Sequence, residues 1–234
     1  MKRFAWLALW FLPLASFAGI PIQHWTMPTG AKVYLVEAPG IPMVDVEIEF
    51  DAGARRDPAG QAGLAVATAT MMGKGIKSFK GQPAMDENQL GEAWADLGAM
   101  VNANAGNDRM SFSLRSLTRP ELLDAAVALA ARQLAAPSFP NDVWQSERER
   151  WVASIRESNT KPATQAGKAF NQAVFGKHPY GAEVDEASLR RIDTAAMAQF
   201  VSRHLSLCQA KISVVGAVNR AQTERLLSQL LSGL

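Results

Sequence analysis

The sequence predicts an α+β fold, a two-layer domain in which helices cover a mainly antiparallel sheet. Residues 44–50 read Val-Asp-Val-Glu-Ile-Glu-Phe, so apolar and acidic side chains alternate along the segment. Such alternation is typical of an antiparallel strand with one buried face. Strand-like and helix-like segments are mixed along the chain, and the turn Gly106-Asn107-Asp108 joins two strands directly. Hairpin connections without regular β-α-β repeats favour the α+β class.

Turn residues and apolar periodicity delimit the other elements. Pro28-Thr29-Gly30 precedes one strand, and Pro39-Gly40 separates that strand from the alternating segment. Thr118 and Glu121 are three residues apart, which predicts a capping box at the start of a helix. We expect strands at residues 32–37, 44–50, 99–105, 109–117 and 208–217, and helices at 60–73, 86–97, 118–134, 141–158, 162–175, 193–205 and 220–232.

The N-terminus has the order of a secretory signal peptide. Met1-Lys2-Arg3 is basic, residues 4–14 form an apolar core, and Ser16 and Ala18 are small residues suited to a cleavage site after Ala18. An uncleaved anchor is the alternative interpretation. The apolar core is short for a membrane span, so no stable membrane insertion is expected. The sequence therefore predicts a signal peptide at 1–18 and export to the periplasm.

Residues 19–234 are expected to form a single exported domain. Removal of Lys2 and Arg3 reduces the 24 basic residues to 22, which equals the 22 acidic ones. The mature chain then has no net charge and no basic stripe, which argues against a nucleic-acid partner. The single cysteine, Cys208, has no intramolecular disulfide partner and adjoins an apolar strand, so we expect a buried free thiol.

Residues 63–75 read Gly-Leu-Ala-Val-Ala-Thr-Ala-Thr-Met-Met-Gly-Lys-Gly. In the inverzincin pattern H-x-x-E-H, two histidines one helical turn apart bind zinc and the glutamate activates water. The corresponding positions in this segment are Val66, Ala69 and Thr70, and none of them is a usual zinc ligand or general base. The same segment also suits an ordinary buried helix that ends at a glycine.

Other segments appear in a matching order and decide between these interpretations. Together with residues 63–75, they resemble the N-terminal half of a peptidase of the pitrilysin/insulinase family, M16, and most of all its bacterial branch similar to the mitochondrial processing peptidase. The segments are Val33–Glu37, Pro42–Val46, Phe50–Pro58, Leu97–Ala99, Glu147–Arg150, Phe175–Gly181 and Ile212–Gly216. The resemblance implies the M16 fold and a degenerate zinc site.

The resemblance also implies a third metal ligand, a glutamate on a later helix in a pattern like E-R-x-V-V-x-x-E-I. If the pattern begins at Glu147, the ligand position falls on Ser154, a poor zinc ligand. If the pattern begins at Glu149, the position falls on Arg156. A further small shift would select Glu157, but the two histidines would still be absent.

No other metal or cofactor site is expected. The three histidines, His24, His178 and His204, are far apart and have no metal-ligand spacing. The chain also has no recognisable Ser-His-Asp order, C-x-x-C, P-loop or dinucleotide fingerprint. We therefore expect no metal and no cofactor.

The resemblance implies three functions to compare. The first is a non-catalytic subunit that pairs with a catalytic M16 relative and supplies chamber wall and contacts to unfolded peptides. Family members add an extended peptide to a sheet edge, a mode that requires no metal, and the corresponding strand is near residues 101–104, with Asn102 and Asn104 as candidate peptide-binding residues. The alternatives are a carrier or structural protein that has lost its link to proteolysis and, least favoured by the residues, an active zinc metallopeptidase.

Overall fold

The alternating segment forms the third strand of a six-stranded sheet. The computed structural model describes residues 20–234, and the predicted signal peptide at 1–18 lies outside these residues. A second, two-stranded sheet consists of the short strands β4 and β5. The strands are β1 (Gln23–Thr26), β2 (Lys32–Glu37), β3 (Met43–Phe50), β4 (Gly75–Ile76), β5 (Met85–Asp86), β6 (Met100–Ala105), β7 (Met110–Leu117) and β8 (Lys211–Gly216).

The large sheet has the order β1-β2-β8-β3-β7-β6. Strand β2 pairs with β8 in parallel, and the other neighbouring pairs are antiparallel. At the centre, Val46 of β3 lies opposite Leu114 of β7 and Val214 of β8. The prediction of a mainly antiparallel sheet covered by helices is confirmed.

One face of the sheet carries the core. Val44, Val46, Ile48 and Phe50 are at most 1% exposed, as the alternation predicts. At about 25 cal/mol per Å² of apolar surface removed from water, each such side chain contributes roughly 1.5–3 kcal/mol. The residues between them, with Asp45 as an example, lie on the opposite and more exposed face.

The helices also follow the sequence pattern closely. They are α1 (Leu64–Met71), α2 (Glu87–Asp96), α3 (Pro120–Ala135), α4 (Asn141–Asn159), α5 (Pro162–Phe175), α6 (Glu186–Arg190), α7 (Thr194–His204) and α8 (Arg220–Leu230). Helix α6 was not predicted. Within residues 20–234, no helix combines the length and the apolar character that a membrane span requires.

Two local predictions are wrong. Helix α3 begins at Pro120 with Arg119 as its N-cap, and Thr118 forms no capping box. Proline at the first helical position has a fixed φ and no N–H that needs a cap, so it sets the start of the helix. Cys208 is exposed, because it lies in a 3₁₀ turn before β8 and not in the strand itself.

Helix α1 begins later than the sequence pattern predicts, at Leu64 and not near residue 60. Gly63 has φ +100°, a left-handed conformation that favours glycine. The Asp57 carboxylate accepts hydrogen bonds from the N–H groups of Gly63 and Ala65, both at 2.8 Å, and so caps the helix from outside it. Burial raises the pKa of Asp57 to about 6, although the N–H donors of Ala65, Gly63 and Leu64 act in the opposite direction.

We predict that the titration of Asp57 makes stability depend on pH. Its folded-state pKa of about 6 lies above the ordinary value of 3.8, so folding favours the protonated form. This contribution is fully present below about pH 4 and is lost as the pH rises through about 6. Relative to Asp57→Asn, the wild type should lose free energy of unfolding between pH 4 and pH 7 in urea titrations.

The control for this prediction is Asp124→Asn, at an exposed position of α3. This variant should follow the wild-type pH dependence. If the wild type instead gained stability relative to Asp57→Asn across the same range, the helix N–H donors would lower the pKa of Asp57 by more than burial raises it.

Candidate functional site

The three predicted site positions of the first motif lie on α1. Val66 and Thr70 are one turn apart on the same side of the helix, half-buried and exposed respectively. Ala69 is 3% exposed and packs in the main core. The helix therefore keeps the i, i+4 geometry of a two-ligand site, while the side chains at these three positions offer one hydroxyl and no imidazole or carboxylate.

A lysine between two carboxylates follows the C-terminal end of α1. The Lys74 ammonium lies 2.7 Å from Glu87 Oε1 and 3.0 Å from Glu147 Oε1. Its hydrogen bond to Glu87, and secondarily the one to Glu147, raises the pKa of Lys74 against the opposing effect of burial. Only 20% of the Lys74 side chain and 18% of the Glu147 side chain are exposed, and Lys74 and Arg150 together supply the positive charge that partly buried Glu147 requires.

Helix α4 approaches the α1 segment through Glu147 and Trp151. Glu147 contacts Lys74 after the end of α1, and a Cβ placed on Gly63, before its start, would lie 3.3 Å from the Trp151 ring. Ser154 is exposed and lies about one turn beyond Trp151. The carboxylate that faces the end of α1 is therefore Glu147, and the role assigned to Ser154 stays a prediction.

The two other residues considered for the third ligand are bound elsewhere. Arg156 forms an ion pair with Glu186 at 2.6 Å, and Glu157 forms one with Lys161 at 3.0 Å. Both pairs are on the outer surface of α4. Sequence reasoning missed the ion pairs of Lys74 with Glu147 and Glu87, because helical spacing alone does not reveal contacts between distant segments.

The residues at this site do not fit a zinc ion. Zinc sites in proteins use imidazole, thiolate and carboxylate donors, and here the Glu147 carboxylate is already paired with an ammonium group while the Asp57 carboxylate caps the start of α1. Across residues 20–234, no three His, Cys, Asp or Glu side chains form a group that could hold a metal. His24 lies on β1, His178 lies in a loop, and His204 ends α7, where burial lowers its pKa.

The segment Phe50–Pro58 positions α1 against the β6–β7 turn. A Cβ on Gly53 would lie 2.3 Å from the Asp108 carbonyl carbon, so only glycine permits this approach. The Arg55 guanidinium bridges Asp51 and Asp108, with its Nε 3.1 Å from the Asp108 carboxylate. These contacts fix the backbone immediately before the Asp57 cap.

The segment Phe175–Gly181 contacts the same turn from the other side. The Tyr180 hydroxyl donates to Asp108 Oδ1 at 2.5 Å, and this hydrogen bond raises the pKa of Tyr180. The Tyr180 N–H donates to His178 Nδ1, and the two rings meet edge to face at 4.6 Å. Asp57, Arg55, Asp108 and Tyr180 therefore position the backbone segments around α1.

The predicted peptide-binding residues lie on an edge strand. Strand β6 is the last strand of the large sheet and pairs only with β7 among the described strands. Asn102 and Asn104 are both exposed and alternate with half-buried Val101 and Ala103. Asn102 lines a shallow depression on the open face of the sheet together with Arg115 and Ser213. The strand thus offers unpaired backbone groups and exposed amides at the same edge.

Comparisons with known proteins agree with this fold. The family model described as Insulinase (Peptidase family M16) matches residues 32–187. An uncharacterized zinc protease of Rickettsia bellii is 21% identical over 213 residues, and the alignment covers 88% of this chain and 50% of that protein. Subunit 1 of the bovine mitochondrial cytochrome b-c1 complex is 22% identical over 195 residues, and the alignment covers 82% of this chain and 39% of that protein. This chain spans half or less of the length of these relatives.

Solved structures show the same relation. A structure described as the peptidase M16 inactive domain from Pseudomonas fluorescens has a TM-score of 0.83 at 26% identity and covers 91% of this chain and 50% of its own. The first half of the periplasmic protease PqqL from Escherichia coli has a TM-score of 0.73 at 17% identity, and the match covers 91% of this chain and 46% of that structure. The family model spans well over half of the chain, and the sheet, the helices and the retained segments agree with it, so the chain belongs to peptidase family M16.

Proposed function

We propose that this chain is a non-catalytic M16 protein that serves as the inactive subunit of a zinc-peptidase assembly. In that role it contributes chamber wall and peptide contacts, and a catalytic M16 relative contributes the zinc site. The observation that carries the proposal is the state of α1 and its surroundings. The helix keeps its position, but Val66, Ala69 and Thr70 supply no zinc ligand or base, and Lys74 holds the nearby Glu147.

The packing around α1 also argues against a zinc site at this helix. Ala69 lies in the core, where a glutamate would need a partner or would cost several kcal/mol in desolvation. The ion pair between Lys74 and Glu147 occupies the carboxylate that faces the helix. Restoring a hydrolytic site would thus require changes on at least two helices.

The comparisons support a partnership without identifying the partner. The Pseudomonas structure, which is described as an inactive domain, is twice as long as the matched region. The E. coli protease PqqL is longer still, and this chain covers 24% of it. Proteins of this fold thus commonly contain further folded units, and a chain without chemistry of its own is best explained as one unit of a larger assembly.

Peptide binding at the β6 edge belongs to the same proposal. An extended peptide can add to an edge strand through backbone hydrogen bonds, and side-chain amides such as those of Asn102 and Asn104 can orient it. Unfolded peptides are the ligands that suit this mode, because their backbones are free to pair. No metal is needed for such binding.

Export to the periplasm is the proposed location. It rests on the signal-peptide pattern of residues 1–18. The mature protein should therefore start at Gly19, which N-terminal sequencing of protein recovered from the periplasm checks. Intact Met1 on the functional protein would remove this part of the proposal.

We predict that the purified chain binds no stoichiometric zinc and hydrolyses no peptide. The reason is the donor set at α1, which has a hydroxyl, two alkyl side chains and an ion-paired carboxylate. Zinc content should be measured after dialysis, and cleavage should be measured on unfolded peptides. An M16 relative with an intact H-x-x-E-H motif, purified in parallel, is the positive control. Hydrolysis by this chain that a chelator abolishes would contradict the prediction.

We predict that the chain forms a complex with a catalytic relative from the same organism. A stable contact should bury on the order of 1,200–2,000 Å² in total. Co-expression followed by size-exclusion chromatography should show co-elution, and the complex should cleave an unfolded peptide at a different rate from the relative alone. Separate elution at micromolar concentration, with unchanged peptidase activity, would replace the subunit role by that of a carrier or structural protein.

A further inference from the structure

The turn at the end of edge strand β6 is held by a neighbouring segment of backbone. This turn, residues 106–108, connects β6 to β7. The N–H groups of Gly53, Ala54 and Arg55 each donate to a different carbonyl oxygen of the turn, at distances of 2.9 to 3.2 Å. Every carbonyl of the turn thus has a hydrogen-bond partner outside its own hairpin. The turn is therefore fixed against the segment that leads to α1.

Side chains hold the same turn from two directions. The Asp108 carboxylate lies 3.1 Å from Arg55 Nε and accepts a hydrogen bond from the Tyr180 hydroxyl at 2.5 Å. Arg55 belongs to the segment before α1, and Tyr180 belongs to the 3₁₀ turn Pro179–Gly181 that follows α5. Asp108 thus joins three segments that are distant in sequence. Arg55, Asp108 and Tyr180 are the Asp108 clamp.

The clamp is ordered but contributes little to stability. The Tyr180 ring meets Phe175 edge to face at 5.7 Å and His178 at 4.6 Å, and these contacts restrict its rotation. The side chains of Arg55 and Asp108 are 33% and 56% exposed, and ion pairs at such positions stabilise a fold only weakly. The clamp therefore determines where the turn lies more than how stable the domain is.

The clamped turn belongs to the strand that offers its edge to a peptide. Strand β6 is short, from Met100 to Ala105, and its end continues directly into the turn. Among the described strands, β6 pairs only with β7, so its position depends on that one pairing and on the turn. A peptide that adds to an edge strand forms several backbone hydrogen bonds together, which requires a strand of fixed position and direction.

We infer, resting on the peptide-binding part of the proposed function, that Arg55 and Tyr180 are positioning residues for the β6 edge. By holding Asp108 they keep the strand in the conformation that accepts an extended peptide, and neither side chain has to touch the peptide. A strand that is ordered before binding loses less conformational entropy when the peptide adds to it. Removal of the clamp should therefore lower peptide affinity while the domain stays folded.

The test compares the two tyrosines of the chain. Tyr180→Phe removes the hydroxyl that holds Asp108, and the control Tyr34→Phe removes the hydroxyl of the other tyrosine, which is exposed on β2. The probe is fluorescein-labelled, carboxymethylated insulin B chain, an unfolded peptide, and binding is measured by fluorescence anisotropy. Tyr180→Phe should weaken binding about 10-fold, the effect of losing one hydrogen bond to a charged group. Tyr34→Phe should bind like wild type, and circular dichroism should show both variants folded.

Asp108 allows a rescue by the conservative variant. Asp108→Ala removes the acceptor, whereas Asp108→Asn keeps an oxygen that can accept from the Tyr180 hydroxyl. Asp108→Ala should lose peptide affinity, and Asp108→Asn should regain part of it. Hydrogen exchange of residues 100–110 is the second readout. Exchange should be faster than in wild type in Tyr180→Phe and Asp108→Ala, and unchanged in Tyr34→Phe.

The outcomes separate the clamp from the proposed function. Faster exchange in Tyr180→Phe with unchanged peptide affinity would overturn the inference, although peptide binding by the domain would stand. Unchanged exchange in this variant would also overturn it, because the hydroxyl would then not hold the turn. If the wild type binds no unfolded peptide, the peptide contact of the proposed function fails and the positioning role fails with it.

Discussion

Burial of one face of β3 between β7 and β8 is the constraint on which the rest of this structure depends. The four apolar side chains of β3 make the covered face of the sheet, and helices pack on that face. Helix α1 is one of the packed elements, and Leu64, Ala67 and Met71 belong to the same core as Ile48. The position of α1 is therefore fixed by hydrophobic packing, which does not require a metal ion.

This explains how the fold can keep the geometry of a protease helix without its chemistry. The polar groups around α1 have structural partners: Asp57 caps the helix, and Asp108 joins Arg55 to Tyr180. Glu147, the carboxylate that faces the end of the helix, is held by Lys74. Lys74 also pairs with Glu87, and Glu147 also pairs with Arg150, so the ammonium and the carboxylate belong to a small network of opposite charges.

The sequence patterns were reliable where local periodicity decides the structure. The alternation in β3 and the bounds of α4 and α5 follow from the side chains of each segment alone. The patterns failed where a distant or competing group decides. The cap of α1 comes from Asp57, outside the helix, and Pro120 displaces the predicted cap of α3.

The same limit applies to the third ligand position. Residues seven apart on a helix lie on nearly the same side, so the sequence alone does not separate Glu147 from Ser154. Contacts from Lys74 and Gly63 to α4 make that distinction, because they place Glu147 and Trp151 at the two ends of α1. Contact between segments more than 70 residues apart is a property of the packed sheet and not of either helix.

In the proposed role, this protein acts through its surfaces and not through bond cleavage. Hydrogen exchange of the backbone amides, measured with and without the catalytic relative, tests that claim most directly. The account predicts slower exchange in exposed segments of this chain when the relative is added, and slower exchange in β6 when an unfolded peptide is added as well. Unchanged exchange in both experiments, together with zinc-dependent protection of α1 in this chain alone, would contradict it.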